Sequence, residues 1–484
     1  MREYTHMHPQ VLVQACSELV SQVLTFEHPA DAVISKFFRD QRKALAIGQR
    51  ERSALAQTVY QVLRYKLRFD HFSPSGSGPK ARRMAILGLA KHLSEQQVTG
   101  SPSLSAKPQT FKKKSNGEVV GSKSRFVDHA HEAKQNAKQA TKDLGPLAFL
   151  QSGVTEHEWR WLQECLKVDT NELLERHRHN LPEWLVEPLK GQVGEGFWPL
   201  ADYLMTNAPL DLRVNTLLVK REEVQAELKA LGIKALETPY SPWGLRIAGK
   251  PALSDLDCFK LGRLEVQDEG SQLLAMITDA HRGEMVVDFC AGAGGKTLAL
   301  GAMMRNTGRL YAFDTSAHRL DQLKPRLARS QLSNVHPSAI AHERDERIKR
   351  LSGKIDRVLV DAPCSGLGTL RRNPDLKWRQ SPQSVAELVL KQQAILSSAA
   401  RLLKLGGRLV YATCSLLTAE NEEIAQAFGL AHPGFKPLPV AELLSALKIE
   451  SAPTLCTSDG LYLRLWPHVH HTDGFFAAAW QRES

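Results

Sequence analysis

At 484 residues, 42% hydrophobic and 24% charged, the chain has the composition of an ordinary globular protein long enough for two or three domains. Its net charge of +11 favours polyanionic partners, nucleic acid above all. Seven cysteines with no Cys-x-x-Cys pair argue against a disulfide framework and a zinc finger, no apolar run is long enough to span a bilayer, and Met1-Arg-Glu-Tyr-Thr-His has no signal-peptide core. Reduced thiols, no metal, no membrane and a cytoplasmic location are therefore expected.

Val11–Leu24, Ala32–Phe38, Ala54–Tyr65 and Met84–Leu93 carry apolar residues near helical spacing, so residues 1–98 read as a helical domain. Residues 99–143 differ sharply. They are rich in Ser, Gly, Lys and Gln, and Gly100–Lys142 holds nine Lys or Arg against three Asp or Glu. Such a segment buries too little apolar surface to offset chain entropy, and a basic, disordered, low-complexity insert is expected. It is either a solvated tail or an arm that binds phosphates without sequence preference. Trp159, Trp161, Trp184 and Trp198 mark resumed order and read as core residues. Leu212–Thr216 reads as a strand and Glu222–Leu231 as a helix, giving a small α+β module over residues 144–254. From residue 255 strands and helices alternate, which indicates an α/β domain over residues 255–484. Its best helix is Val385–Lys404, with Ser381 as N-cap, Pro382 in the first turn, an apolar stripe from Val385 to Leu403, and Gly406-Gly407 ending it and feeding the next strand.

Within the α/β domain, four apolar runs read as buried strands: Met285–Phe289, Leu310–Phe313, Arg357–Val360 and Arg408–Ala412. Each ends in residues that carry chemistry. The clusters are Asp288-Phe-Cys-Ala-Gly-Ala-Gly-Gly-Lys296-Thr, then Asp314, then Asp361-Ala-Pro-Cys364, then Thr413-Cys414-Ser. In an open parallel sheet the C-terminal strand ends share one edge, where ligands bind, so these distant residues are expected to meet in one pocket. The glycine loop followed by a helix start offers backbone N–H groups to a ligand. A P-loop is excluded because Cys290 stands where its first Gly belongs, and the dinucleotide fingerprint because Thr297 replaces its third Gly. Asp314 is placed to accept hydrogen bonds from both hydroxyls of a ribose. An adenosine-bearing cofactor with no phosphate requirement, S-adenosyl-L-methionine, fits best, with a nicotinamide cofactor as the alternative.

Cys16, Cys165, Cys258 and Cys456 read as packing residues. Cys364 and Cys414 follow strands at the ligand edge and read as functional. A thiolate can add to carbon 6 of a cytosine, which makes carbon 5 nucleophilic enough to take a methyl group. A carboxyl group such as Asp361 would ease that addition at ring N3, and a second thiol beside the first would assist release.

These clusters resemble the RNA 5-methylcytosine methyltransferases. The resemblance runs from about Leu144 to the C-terminus and rests on Arg213-Val-Asn215, Val266-Gln-Asp268, the Gly-Gly-Lys-Thr loop, Asp361-Ala-Pro-Cys364-Ser-Gly, Arg371-Arg-Asn-Pro374-Asp-Leu-Lys-Trp378, Thr413-Cys414-Ser and Thr472-Asp-Gly-Phe-Phe476. The helical N-terminal region is similar to a NusB-type RNA-binding domain. The resemblance implies a Rossmann-like S-adenosylmethionine methyltransferase domain, preceded by a small α+β module that binds RNA or connects, and an all-α NusB-like domain. It implies small-subunit (16S) ribosomal RNA as partner and a monomer. It makes Cys414 the nucleophile and Cys364 the residue that helps release the product. Asp361 would contact the cytosine, and Lys296 would point toward the reaction centre. The cofactor set would be Cys290, Ala291, Gly292, Gly294, Gly295, Lys296, Asp314, Arg319, Asp345 and Asp361, with Asp314 on the ribose and Asp345 on the adenine.

Two departures stand out. Gly292-Ala293 replaces the family's usual Ala-Pro pair, which gives the loop backbone more freedom, and weaker cofactor affinity is the expectation that follows. The basic insert is not part of the family pattern. Arg371, Arg372 and Lys377, just past the Pro-Cys turn, are expected to contact the RNA backbone, and the target base must be flipped from its stack to reach a thiol. Two other functions remain open at this point: a nicotinamide-dependent oxidoreductase, and a catalytically silent RNA-binding assembly protein.

Overall fold

Apolar residues at helical spacing build the N-terminal unit. In the computed structural model, which describes residues 7–42, 47–99, 147–249 and 251–484, the helices Pro9–Val23, Ala30–Asp40, Gln49–Arg64, Lys66–Phe72 and Lys80–Thr99 follow one another. Leu12, Cys16, Leu19 and Val23 recur along one face of the first helix and are buried, as are Leu55, Val59 and Val62 on the third and Met84, Leu89 and Leu93 on the last. The basic segment 99–143 lies outside the described residues except for Thr99, which ends the fifth helix.

Helices Leu147–Gln151, Glu156–Lys167 and Glu175–His179 belong to this same unit, which runs to Asn180. Thr155 and Glu158 form a reciprocal capping box at the start of Glu156–Lys167, and Arg82 pairs with Glu158 at 2.5 Å. Trp159 and Trp161 are buried, and the Trp161 indole donates to Ser75 Oγ at 3.1 Å, so both serve packing.

The second unit spans Leu181–Ser484. Its first part is a four-stranded antiparallel sheet of β1 (Leu210–Val214), β2 (Ala235–Glu237), β3 (Gly244–Ile247) and β4 (Leu264–Val266), in the order β2-β3-β1-β4. Helix Arg221–Ala230 buries Val224 and Leu228 against it.

The larger sheet holds five parallel strands: β5 (Met285–Asp288), β6 (Arg309–Asp314), β7 (Val335–Ala339), β8 (Ile355–Asp361) and β9 (Leu403–Thr413). Antiparallel strands β10 (Phe435–Leu438), β11 (Leu463–Leu465) and β12 (Phe475–Arg482) complete one side, giving β10-β12-β9-β8-β5-β6-β7 with β11 beside β12. Both faces are covered, which explains the continuous apolar runs. Val286, Leu359, Val410 and Ala477 enter the core under helices Glu269–Thr278 and Gly295–Met303. Their neighbours Val287, Val358, Tyr411 and Phe476 enter the core under helix Pro382–Ala400. From β5 the chain winds outward through β6 and β7, then returns to β8 on the other side. The reversal falls between β5 and β8, and a crevice is expected there.

Several boundaries differ from the sequence reading. The helices between residues 147 and 180, expected in the α+β module, belong to the N-terminal unit, and β4, expected in the α/β domain, pairs with β1. The long helix keeps its Ser381 cap, but it ends at Ala400, and Leu403 already belongs to β9, paired with Ile355. Gly406-Gly407 lies inside the strand, where the register shifts before resuming at Arg357 and Arg408, and Gly406 takes φ +75°. Leu402 and Leu403 are buried either way, and a short apolar pair carries no period that separates helix from strand.

Candidate active site

The crevice at the β5/β8 reversal is a cavity of about 1110 Å³. It exceeds the range of about 300–1,000 Å³ usual for a drug-sized ligand, which leaves space for a base beside a cofactor. Loops leaving four strands line it: Phe289–Ala293, Gly295 and Lys296 after β5, Asp314–Ser316 after β6, Asp361–Cys364 after β8, and Cys414 after β9; Gly294, expected in the cofactor set, does not line it.

The glycine loop is held open by its own backbone. Ala291 N–H donates to Phe313 O at 2.8 Å, Gly294 N–H to Ala291 O at 2.8 Å, and Gly292 N–H to Asp314 Oδ2 at 2.8 Å. Gly294 caps helix Gly295–Met303 with φ +84°, and a Cβ there would lie 2.1 Å from Leu323 Cδ1. A Cβ on Gly292 would meet nothing within 4 Å. Arg326 holds the loop at Ala293, where the resemblance leads one to expect a proline: its Nη1 donates to Ala293 O at 2.5 Å, and its other nitrogens pair with buried Glu265, to which Arg329 also binds.

Asp314 is buried yet lines the cavity. Its second oxygen accepts from Ser316 N–H at 2.7 Å, so the same carboxylate that lines the cavity also fixes both flanking loops. Arg319 lines the cavity too. Asp345 is not among the lining residues: its carboxylate turns back to the N–H groups of Ala341 at 3.0 Å and Arg347 at 2.9 Å, capping a short helix. The wall there comes from Ile340–Glu343.

On the opposite wall Cys364 Sγ and Cys414 Sγ stand 3.4 Å apart. The Cys364 thiol is pushed far above the usual thiol range, first by its hydrogen bond with Cys414 and then by burial, so it keeps its proton. Lys296 reaches across from the glycine loop, and its ammonium binds Asp361 Oδ2 at 2.7 Å. Burial opposes the charge on Lys296, but the Asp361 carboxylate outweighs it and holds the ammonium above its ordinary pKa. Cys290 lines the cavity and packs against the apolar core, and burial pushes its thiol well up. Behind the loop, burial raises Asp288 to about 7, although the Thr297 hydroxyl, at 2.6 Å, partly holds it down.

Three cations differ from the sequence expectation. Arg371 and Lys377 are buried. Arg371 stacks on Tyr203 at 4.2 Å and donates to Asn207 O at 2.7 Å and Thr206 Oγ1 at 3.2 Å. Arg372 does line the cavity, but it is clamped between Asp268 at 2.9 Å and Asp473 at 2.5 Å. The guanidinium groups knit loops together instead of facing solvent phosphates. Asp268 and Asp473 belong to motifs quoted for the resemblance, without a site role there. Arg326 has no motif around it, only a helical position that faces the loop.

The fold and this crevice define the Rossmann-like methyltransferase class: a glycine loop after the first strand, an acid after the second, and reactive groups after the fourth and fifth. Comparison with known proteins narrows the class. The sequence profile of the 16S rRNA methyltransferase RsmB/F family matches residues 275–481, and that of the RsmF/B-like ferredoxin-like domain matches residues 181–254. The chain is 37% identical over 316 residues to a probable ribosomal RNA small subunit methyltransferase B of Synechocystis, covering 64% of this chain and 69% of that one. It is 33% identical over 341 residues to ribosomal RNA small subunit methyltransferase B of Pasteurella multocida, covering 69% and 75%. Two solved structures are similar: PH0851, with TM-score 0.71 and 26% identity over 98% of this chain and 99% of the other, and a methyltransferase homologue from Pyrococcus horikoshii, with TM-score 0.55 and 26% identity over 65% and 100%.

The chain belongs to the RsmB/F family of small-subunit ribosomal RNA methyltransferases. Its methyl donor is S-adenosyl-L-methionine, and the crevice fits that group. The uncharged glycine loop, the Asp314 carboxylate and the open space over Gly292 suit a nucleoside. Among the described residues no helix is long and apolar enough to cross a membrane.

Proposed function

We propose that this enzyme methylates carbon 5 of a cytosine in small-subunit (16S) ribosomal RNA through a covalent bond between Cys414 and the base. The observation that carries this reading is the 3.4 Å approach of Cys364 Sγ to Cys414 Sγ in the crevice that also holds the Lys296–Asp361 pair. Methyl transfer to a nitrogen or an oxygen gives no role to two adjacent thiols. Transfer to carbon 5 does, because that carbon becomes nucleophilic only after a thiolate adds to carbon 6.

Roles follow the motifs. The two sulfurs share one hydrogen bond, and the resemblance of Thr413-Cys414-Ser makes Cys414 the sulfur that attacks and Cys364 its partner. Asp361, with one oxygen on Lys296, offers the other to the N3–N4 edge of the cytosine. As sulfur adds at carbon 6, ring electron density moves to N3, and the Lys296–Asp361 pair supplies the proton that neutralises it. S-adenosylmethionine, when bound, supplies an electrophilic methyl group. After methylation the N3 proton returns to the Lys296–Asp361 pair, the carbon 5 proton leaves to solvent, the carbon 6–sulfur bonding pair returns to Cys414, and Cys364 donates a hydrogen bond to the departing thiolate. Asp314 and the loop Cys290–Gly295 orient the donor, with Arg319 at the rim.

The N-terminal helical unit serves as a NusB-like RNA-binding domain, and the β1–β4 module as an RNA-binding connector. The test is transfer of a labelled methyl group to unmodified small-subunit RNA, followed by nucleoside mass analysis. Label in 5-methylcytidine supports the reading. Label in another nucleoside, or none while RNA binds, refutes it.

A further inference from the structure

Behind the two thiols, away from the crevice, lies a buried carboxylate that the chemistry above does not use. Glu420 is fully buried, and among the described residues no cation pairs with it. Four donors converge on it. Oε1 accepts from Ser365 N–H at 2.8 Å and from the Gln392 amide at 3.0 Å. Oε2 accepts from the hydroxyls of Ser365 and Ser415, which are themselves 3.2 Å apart. Ser365 directly follows Cys364, and Ser415 directly follows Cys414.

We propose that Glu420 is a positioning residue that sets the spacing of the two thiols by binding both thiol-bearing turns to one carboxylate. The inference deepens the function proposed above and rests on it only for its kinetic part.

The donor count explains why the residue is an acid. A carboxylate offers about four acceptor sites and no proton. An isolated carboxylate without hydrogen bonds could not remain in this buried place. Four bonds satisfy it, and three of them end on the two serines. The clamp is extended on either side. Gln392 also donates to Pro363 O at 3.0 Å, which fixes the residue before Cys364. Ser415 Oγ accepts from Leu417 N–H at 3.1 Å, and Asn421 donates to Ser415 O at 3.1 Å, which fix the turn after Cys414. The Tyr411 hydroxyl donates to the Glu420 carbonyl at 2.7 Å and anchors the clamp to β9. The two turns leave different strands, β8 and β9, and ladder pairing between those strands ends at Asp361 and Ala412, before either cysteine. Beyond that point the carboxylate cross-links the two turns at the residues next to the cysteines, and a bond from Gly368 N–H to Cys414 O at 2.8 Å joins them further along.

The test uses full-length protein and two readouts. Phenylarsine oxide bridges two thiols only when they stand close together, and its capture rate reports spacing without RNA or cofactor. Labelled methyl transfer reports turnover. Glu420→Ala is expected to slow arsenical capture at least about tenfold and to lower kcat on the order of a hundredfold, the size expected for a misplacement near 1 Å. Its affinity for S-adenosylmethionine should stay within about twofold, since Glu420 does not line the cavity. Glu420→Gln is expected to recover most of both rates. Its amide oxygen can take the Ser365 and Gln392 N–H groups, and its amino group can donate to serine hydroxyls turned round to accept. If Glu420→Ala does not fold, Ser365→Ala and Ser415→Ala, each removing one donor, are read in the same way.

Wild-type capture by Glu420→Ala overturns the positioning role, whatever its turnover. Slow capture with full turnover keeps the clamp and refutes the thiol chemistry proposed above.

Discussion

Replacing Arg326 with Met keeps a long helix-forming stem and removes the only side-chain bond, among the described residues, to the carbonyl of Ala293 in the glycine loop. A hydrogen bond from a charged group contributes about 1.5–3 kcal/mol. Glu265 keeps Arg329 as its partner in the variant, which limits the penalty of an unpaired buried acid. If roughly half of the lost bond appears as loop freedom that the cofactor must remove, the cost to binding is about 1.4 kcal/mol, or tenfold in Kd. Calorimetric titration with S-adenosylmethionine should therefore show affinity about tenfold weaker, with kcat at saturating cofactor close to wild type. A Kd within about twofold of wild type, alongside a lowered unfolding temperature, would refute the idea that Arg326 holds the loop for its cofactor.

Gly294→Ala should destabilise the protein by about 2–4 kcal/mol in urea unfolding, from a left-handed backbone and a forced contact with the buried Leu323, and should weaken cofactor binding with it. An unchanged midpoint would contradict the packing described here. The buried Asp288 gives a pH signature. Its folded-state pKa, about 7, stands well above the ordinary carboxylate range, so the stability it contributes is fully present below about pH 4 and is lost as pH rises toward 7. At about 1.4 kcal/mol per pH unit over roughly three units, wild type should lose on the order of 4 kcal/mol relative to Asp288→Asn between pH 4 and pH 7.5. A pH-independent difference between the two proteins would place the Asp288 proton elsewhere.

The catalytic edge was legible because parallel strands, buried on both faces, announce themselves as apolar runs, and because each run ends in a distinct cluster. Asp314, Lys296, Asp361, Cys364 and Cys414 therefore reach one crevice from positions scattered over more than a hundred residues. What sequence could not show was which polar groups face inward. Arg371 and Lys377 look like surface cations in a basic chain, and only tertiary packing reveals that Tyr203 and Asn207 surround the first. Asp345 sits near the expected place, yet an Asp before a helix has a competing use as its cap, and the cap wins here. The end of the long helix was misplaced because Leu402 and Leu403 are buried under either assignment. Arg326 and Glu420 are invisible in the sequence for a related reason: each acts through loops that approach it only in the folded chain.

The proposed chemistry makes one demand that no structural role for the cysteines shares. Cys364→Ala, incubated with S-adenosylmethionine and small-subunit RNA, should accumulate a protein–RNA adduct that survives denaturing electrophoresis, while Cys414→Ala should form none and transfer no methyl group. An adduct from Cys414→Ala and not from Cys364→Ala would reverse the two roles, and methyl transfer by Cys414→Ala at the wild-type rate would contradict covalent catalysis by this sulfur altogether.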